Sequence, residues 1–280
     1  MSTQAFFDAA GNGRIDEMRM LLDGGEVSVD AQDTEGFTAF VKAAVNGHMD
    51  VVQLLLSRGC NVDVQANNGA TALIDAGSNG HTEIVEAIVN HGCKVDTQNN
   101  KGFTAFIRAA YLGHKEICDI LIKGGCNLDL QNTGGSSALM LAAVYGRKEI
   151  CDLLIAHGCN IDLVNNDGRT ALIFAAIYGH IPVMMSLIEA GCNAYIRDND
   201  SKSAQKGGCF ALFTGCNQPN KNQEGKLAID YLKEKHPENV KEVQVIHPFH
   251  SLLIYSLLTR SSRDGEWVVI LYSFTNLLYL

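Results

Sequence analysis

Proline, tryptophan and basic residues are scarce in this chain of 280 residues. It has four prolines, one tryptophan, and 22 Lys and Arg against 31 Asp and Glu. The formal net charge of −9 argues against a nucleic-acid-binding protein, because contact with phosphates needs a basic face. So few prolines favour a mostly helical structure with few extended linkers. Hydrophobic residues make up 46% of the chain, which is typical of a globular protein and too apolar for a disordered one.

The nine cysteines lack the close spacing of a zinc site or of a small disulfide scaffold. The N-terminus has no basic start followed by an apolar core, so we expect no secretory signal. Both features favour a reducing, intracellular compartment. We expect a cytoplasmic protein, with the nucleus as the other open location.

One stretch of sequence occurs twice in nearly the same form. GFTAFVKAAVNGHMDVV begins at Gly36, and GFTAFIRAAYLGHKEIC begins at Gly102. A glycine opens each copy of a longer repeat, and the step from one copy to the next is constant: Gly36, Gly69, Gly102, Gly135 and Gly168. A second glycine stands at a fixed distance after each of these, and a third closes each unit. Self-similarity at a fixed period of roughly 33 residues predicts a solenoid.

Each unit carries the signals of two short helices. A Thr or Ser, such as Thr38, precedes the first apolar run and is suited to cap a helix start. An alanine pair such as Ala43–Ala44 lets neighbouring helices approach closely, and the middle glycine permits the left-handed turn that ends the first helix. Each Leu or Ile buried by the second helix contributes roughly 1.5–3 kcal/mol. One unit cannot cover its own apolar stripe, so the units must stack.

This pattern resembles the ankyrin repeat, which has the same period and a similar core sequence. The resemblance covers about residues 5–203. Ala stands where the family usually has Pro, and five apolar residues stand where it usually has His: Val41, Ile74, Ile107, Met140 and Ile173. The resemblance implies an all-α, curved solenoid of helix-turn-helix units with short β-hairpin loops.

We divide the chain into four segments. Residues 1–33 form an N-terminal capping repeat, and residues 34–198 form five ankyrin repeats. Residues 199–243 form a C-terminal capping repeat that is interrupted by an insertion at about 205–228. The insertion is either a surface loop or an error of the gene model, such as a retained intron, because its composition matches nothing around it. Residues 244–280 form an apolar tail.

The tail has two apolar stretches, Phe249–Leu258 and Trp267–Leu280. Both are shorter than the ~20 residues that a membrane-spanning helix needs. One interpretation is a disordered or mistranslated tail. The other is a segment that binds a membrane surface or a partner.

The repeated cysteines and histidines do not form a chemical site in the sequence. Cys60, Cys93, Cys126, Cys159 and Cys192 recur once in each repeat, as expected for small buried side chains. His48, His81, His114 and His180 follow the middle glycine, which indicates a turn contact. No Ser–His–Asp or Cys–His set is brought together by the repeat. We therefore expect no enzyme, no catalytic residues, no cofactor and no metal site.

The ankyrin resemblance implies that a partner binds on the concave side, against the loops and the exposed face of the first helices. Aromatic residues and Arg dominate interface energetics, and they are concentrated at such positions in the later repeats. The candidate partner-binding residues are Phe103, Tyr111, Leu112, Tyr145, Arg169, Phe174, Ile177 and Tyr178.

The predicted function is a non-catalytic protein–protein interaction scaffold or adaptor that acts as a monomer. Its partner is another protein, not a nucleic acid, and membrane contact would occur only through the tail. The alternative is a membrane-associated adaptor that is anchored through this tail.

The sequence also predicts a weak repeat. Gly77 stands where the other repeats have the second Ala of the pair, and a Gly in a helix interior costs roughly 0.5–1 kcal/mol relative to Ala. Hydrogen-exchange measurements should therefore show faster amide exchange in Gly69–Gly92 than in Gly135–Gly158. Equal protection of the two repeats would contradict this expectation.

Overall fold

A computed structural model of the chain describes residues 3–25 and 27–199, and the backbone of residues 254–260 and 267–273. Residues 3–199 contain six helix pairs in which each pair packs on the next. The first helices of the pairs are α1 (Thr3–Gly11), α3 (Ala39–Val45), α5 (Ala72–Asn79), α7 (Ala105–Leu112), α9 (Ala138–Val144) and α11 (Ala171–Ile177). The second helices are α2 (Ile15–Asp23), α4 (Met49–Ser57), α6 (Thr82–Asn90), α8 (Lys115–Lys123), α10 (Lys148–Ala156) and α12 (Ile181–Glu189).

Hydroxyl side chains cap the first helices of the five repeats, as the sequence predicts. The Thr38 hydroxyl accepts a hydrogen bond from the backbone N–H of Val41 at 3.2 Å. Thr71, Thr104, Ser137 and Thr170 make the equivalent bond at 3.1–3.4 Å. Such a bond satisfies one of the four N–H groups that a helix start leaves without a partner. The cap fixes where the first helix of each repeat begins.

The middle glycine of each repeat has the left-handed conformation that the sequence predicts, at the C-terminal cap of the first helix or one residue after it. Gly80 has φ of +78° and caps α5, and its N–H bonds to the carbonyl of Ala76. A Cβ at this position would lie only 3.0 Å from the imidazole of His114. The turn therefore needs glycine for both its backbone conformation and its close contact.

Small residues let the first helices lie closer together than the second helices. The alanine pairs of α3, α7, α9 and α11 are fully buried, and the first helices pack on one another more closely than the second helices do. The second helices instead bury larger side chains such as Leu55, Ile88 and Leu154. Because one row is more closely spaced than the other, the stack curves toward the first helices. We call the surface made by the first helices, their C-terminal caps and the loops before them the inner face.

The loops before the first helices are short turns closed by backbone hydrogen bonds, such as that from the N–H of Asp33 to the carbonyl of Phe37 at 3.0 Å. Two of these loops also contain an isolated β-bridge, Gln32–Thr38 and Gln131–Ser137. In the tail, β1 (Ile254–Arg260) pairs antiparallel with β2 (Trp267–Ser273). Both strands are rich in aromatic and β-branched residues, which favour extended structure.

The remaining predictions for the C-terminal part fall on residues that the structure does not describe. These are the interrupted capping repeat of residues 199–243, beyond Asn199, and the insertion at about 205–228. Of the tail, the structure describes only the backbone of β1 and β2. Among the described helices, none has both the length and the apolar character needed to cross a membrane.

The environment of Gly77 predicts a stabilising substitution. A Cβ at Gly77 would lie 3.6 Å from the Cβ of Ala105, which is ordinary van der Waals contact. Gly77→Ala should therefore raise the free energy of unfolding by about 0.5–1 kcal/mol, as measured by urea denaturation. Gly80→Ala, three residues away, is the matched control and should lower it by about 1 kcal/mol or more, because φ there is positive. A Gly77→Ala protein less stable than the wild type would contradict the contact geometry.

Candidate partner-binding surface

All eight predicted site residues lie on the inner face, but they differ in exposure. Tyr145 and Tyr178 are the exposed members, with 48% and 50% of their surface accessible. They are the C-terminal caps of α9 and α11. The other six are half-buried: Phe103, Tyr111, Leu112, Arg169, Phe174 and Ile177. The structure therefore places the two exposed aromatic rings at equivalent positions of neighbouring repeats.

The tyrosines of three consecutive repeats lie close together. The rings of Tyr111 and Tyr145 meet edge to face, with centroids 4.7 Å apart and planes at 88°. A side-chain hydrogen bond with Tyr111 raises the pKa of the Tyr145 phenol, and the nearby Tyr178 raises it further. Tyr178 stacks on the ring of His180 at a centroid distance of 6.4 Å. We call Tyr111, Tyr145 and Tyr178 the tyrosine row.

Arg108 lies among the candidate site residues, although the sequence pattern does not mark it as one of them. Its guanidinium carbon lies 5.5 Å from the ring centroid of Phe103 and 5.9 Å from that of Tyr111. Its Nε donates a hydrogen bond to the hydroxyl of Ser78 at 3.0 Å. Cation–π contacts and this bond hold the guanidinium in one orientation. The sequence contains a signal for part of this cluster, because Arg108 precedes Tyr111 by three residues and so shares its helix face.

A groove on the inner face joins Arg108 to neighbouring polar and apolar groups. Its volume is about 740 Å³, and its wall includes Asp75, Lys101, Phe103, Arg108, Tyr111 and Leu141. We call it the central groove. Burial raises the pKa of the Asp75 carboxyl, and the positive charge of Arg108 offsets only part of this effect. The groove therefore combines an incompletely compensated carboxylate, two cations and an apolar wall.

Arg169 has a contact within the stack that the sequence pattern does not predict. Its Nε lies 3.4 Å from a carboxylate oxygen of Asp198, which is buried in the loop one repeat later. This ion pair joins the loops of consecutive repeats. Arg169 thus connects the candidate surface to the framework of the stack.

The repeated histidines make turn contacts between repeats. Nε2 of His81 donates to the carbonyl of Val45 at 2.9 Å, and Nε2 of His180 donates to that of Val144 at 3.0 Å. His48 and His114 make the corresponding bonds to the repeat before them. Their place in the sequence pattern is therefore explained by the stack.

The repeated cysteines are packing residues. All seven described cysteines are free thiols; five are buried, and Cys93 and Cys192 are half-buried. Burial raises the pKa of every one, to about 12 in Cys60, Cys118, Cys126, Cys151 and Cys192 and to about 11 in Cys93 and Cys159. Such thiols are protonated and unreactive at neutral pH. Within the part of the chain that the structure describes, no group of three His, Cys, Asp or Glu side chains is arranged to hold a metal ion.

The fold and this surface define the class of the protein: a helical repeat solenoid with an aromatic inner face. The family model for ankyrin repeats matches residues 2–66, 50–132 and 106–198, which together cover more than half of the chain. The chain belongs to the ankyrin repeat family. Proteins of this family bind other proteins, and their repeat domains are typically non-catalytic.

Solved structures support the same assignment. The chain is 32% identical to a chain in the complex of a predatory endopeptidase from Bdellovibrio bacteriovorus with an immunity protein, with a TM-score of 0.61 over 68% of this chain and 99% of that chain. It is 28% identical to the ankyrin repeat protein EF0377, with a TM-score of 0.64 over 69% of this chain and 100% of that one.

A human relative matches over a shorter range. Ankyrin repeat domain-containing protein 29 of Homo sapiens is 38% identical over 58 residues. These residues make up 21% of this chain and 19% of the human protein. The match thus spans about a fifth of that relative.

The buried thiols predict a loss of stability at alkaline pH. In the unfolded chain a thiol has a pKa near 8.5, so its proton is lost there well before it is lost from the folded chain. The free energy of unfolding therefore has its full value below about pH 8.5. It should fall as the pH rises toward 11, because over this range the thiols lose their protons only in the unfolded chain. Urea denaturation at pH 8 and pH 10 measures this change in the free energy of unfolding.

A variant with Ala at the five repeated positions is the matched control: Cys60, Cys93, Cys126, Cys159 and Cys192. The ankyrin resemblance gives Ala as the usual residue there. The variant should lose less stability than the wild type between pH 8 and pH 10. An identical loss in both proteins would show that these thiols do not set the alkaline dependence.

Proposed function

We propose that this protein is a non-catalytic interaction scaffold or adaptor of the cytoplasm or nucleus, and that a partner protein binds to its inner face. The tyrosine row is the observation that carries this proposal. Tyr145 and Tyr178 expose about half of their surface at neighbouring repeats, next to the aromatic contacts of Arg108. Exposed aromatic side chains with a nearby Arg are enriched at the centres of protein interfaces.

The side chains of this surface contact one another in the absence of a partner. Tyr145 is held against Tyr111, Tyr178 is held against His180, and Arg108 is held between two rings and Ser78. Fewer side-chain rotamers then have to be restricted when a partner binds, so less of the binding energy is lost to ordering. These contacts support a preformed docking surface rather than exposed aromatic residues without a function.

The first two of the five repeats provide an internal comparison. The positions of Tyr145 and Tyr178 are occupied by Asn46 and Asn79 in those repeats. Each Asn donates a side-chain hydrogen bond to a backbone carbonyl, Asn46 to Lys42 at 2.9 Å and Asn79 to Val45 at 3.2 Å. The repeat therefore accepts Asn at this position, and the tyrosines are not needed for the stack.

The membrane-anchored alternative depends on the tail, of which the structure describes only two backbone strands. The inner face gives it no support. We therefore propose a monomeric adaptor that binds protein through its repeats.

Replacement of both exposed tyrosines tests the proposal. Tyr145→Asn together with Tyr178→Asn should weaken partner capture by at least about tenfold, since aromatic anchors contribute on the order of 2 kcal/mol or more. Affinity capture with quantitative mass spectrometry measures this loss. Circular dichroism and urea denaturation should show an unchanged fold.

Met20→Ala is the matched control, because Met20 is a 71% exposed apolar residue on the second-helix row. It should leave capture unchanged. If the double tyrosine variant retained the full set of partners, the inner face would not be the binding surface.

A further inference from the structure

One position of the first helix has a different chemical character in each repeat. In successive repeats it is occupied by Lys42, Asp75, Arg108, Leu141 and Phe174. Along the stack this position therefore changes from charged to apolar. Asp75, Arg108 and Leu141 all line the central groove, and Phe174 continues the same row one repeat later.

The charge at the start of this row is already compensated within the protein. Nζ of Lys42 lies 2.8 Å from a carboxylate oxygen of Asp33. The same ammonium also lies within 5.8 Å of the ring centroids of Phe7 and Phe37. Lys42 thus has an ion-pair partner within the protein, whereas Asp75 and Arg108, at the next two positions of the row, have none among the described residues.

The carboxylate of Asp75 and the terminal amino groups of Arg108 remain available for hydrogen bonds to a ligand in the groove. Within residues 3–25 and 27–199, the Asp75 carboxylate accepts no hydrogen bond and has no cation within 4.0 Å. Arg108 uses Nε for Ser78 and its planar face for two rings, and its two terminal amino groups make no hydrogen bond to a described residue. Lys101 adds a second, exposed cation beside Arg108. The groove therefore offers one anionic hydrogen-bond acceptor, Asp75, and two cationic donors, Arg108 and Lys101.

The spacing of the row fits an extended peptide that crosses the helices. Axes of packed helices are about 8–10 Å apart. In an extended chain, every second side chain points the same way at intervals of about 7 Å. Alternate side chains of such a peptide fall about 1–3 Å short of each successive first helix. The long, flexible Lys and Glu side chains would span this difference over the two steps from Asp75 to Leu141.

We propose that the central groove binds an extended peptide segment of the partner with a fixed order of charges. A basic side chain faces Asp75, an acidic side chain faces Arg108 and Lys101, and an apolar side chain faces Leu141 and Phe174. This inference rests on the proposed function and specifies the partner chemistry for the same surface. The proposal fixes the order of the peptide's charges along the stack, and the peptide binds with its N-terminus at either end of the groove.

Charge complementarity favours this order over the others. A basic group would compensate the carboxylate that burial disfavours, and a carboxylate would form a bidentate pair with the terminal amino groups of Arg108. In the opposite order both charged side chains would face like charges. A peptide with only acidic or only basic side chains would gain one contact and lose the other.

Fluorescence anisotropy with synthetic peptides tests the proposal on the full-length protein. The matched probe carries lysine, glutamate, leucine and phenylalanine at alternate positions with serine between them, and it is made in both chain directions. The control probes have the same composition with lysine and glutamate exchanged. The matched order should bind at least about tenfold more tightly than the exchanged order.

Charge exchange in the protein should reverse the preference. The double variant Asp75→Arg with Arg108→Asp should bind the exchanged probe more tightly than the matched probe. Asp75→Asn is the smaller change and should reduce the preference for the matched probe without reversing it. If the double variant does not fold, this reduction tests the charge order. Arg19→Gln removes an exposed cation on α2, outside the groove, and should leave the preference unchanged.

The outcomes separate this inference from the proposed function. Equal binding of both orders, with loss of binding in the Tyr145→Asn and Tyr178→Asn protein, would overturn the charge order and leave the inner face as the docking surface. A lack of binding by every probe would also overturn the charge order. Partner capture by the tyrosine variant then decides the proposed function independently.

Discussion

The structure depends on one constraint: a single helix pair cannot cover its own apolar surface, so every repeat must be completed by its neighbour. Apolar side chains fill the space between pairs, and polar contacts repeat at the same step. The carboxylate of Asp63 accepts from the backbone N–H of Lys94 at 2.9 Å, and Asp129 accepts from Asn160 at 2.8 Å. The Gln65 side chain bonds the loop of its own repeat and the carbonyl of Gln98. These contacts fix how each repeat sits on the next.

Features set by local chemistry could be predicted from the sequence. A hydroxyl at Thr38 caps a helix wherever that helix starts, and a glycine at Gly80 adopts a positive φ wherever the chain must turn. The constant period of the repeat then gives the solenoid and its two rows of helices. The positions of Tyr145 and Tyr178 on the inner face follow from the same register.

Features set by contacts between repeats could not be predicted in the same way. Arg108 was missed because its bond to Ser78 and its ring contacts depend on how adjacent first helices meet. The Arg169–Asp198 pair joins loops one repeat apart, and no local pattern in the sequence marks it. The pairing of β1 with β2 has no counterpart in the repeat, so the period gives no information about it.

Some positions of the candidate surface are not fixed by the stack. The position of Asp75 accepts Lys, Asp, Arg, Leu and Phe in successive repeats, which shows that the stack needs none of these side chains in particular. The equivalent residue two repeats later is Leu141. A leucine in place of Asp75 would therefore be compatible with packing and would avoid a partly buried carboxylate.

The Asp75 carboxylate accepts no hydrogen bond from any described residue, and burial raises its pKa while the charge of Arg108 offsets part of that effect. Arg108 is in turn held in place by Ser78 and two rings, so a ligand would meet it in a fixed orientation. The proposed peptide would bind both the carboxylate of Asp75 and the guanidinium of Arg108, which line the same groove. In the proposed complex a basic side chain opposite Asp75 would compensate this carboxylate and an acidic one would not, so this position would select for a basic group.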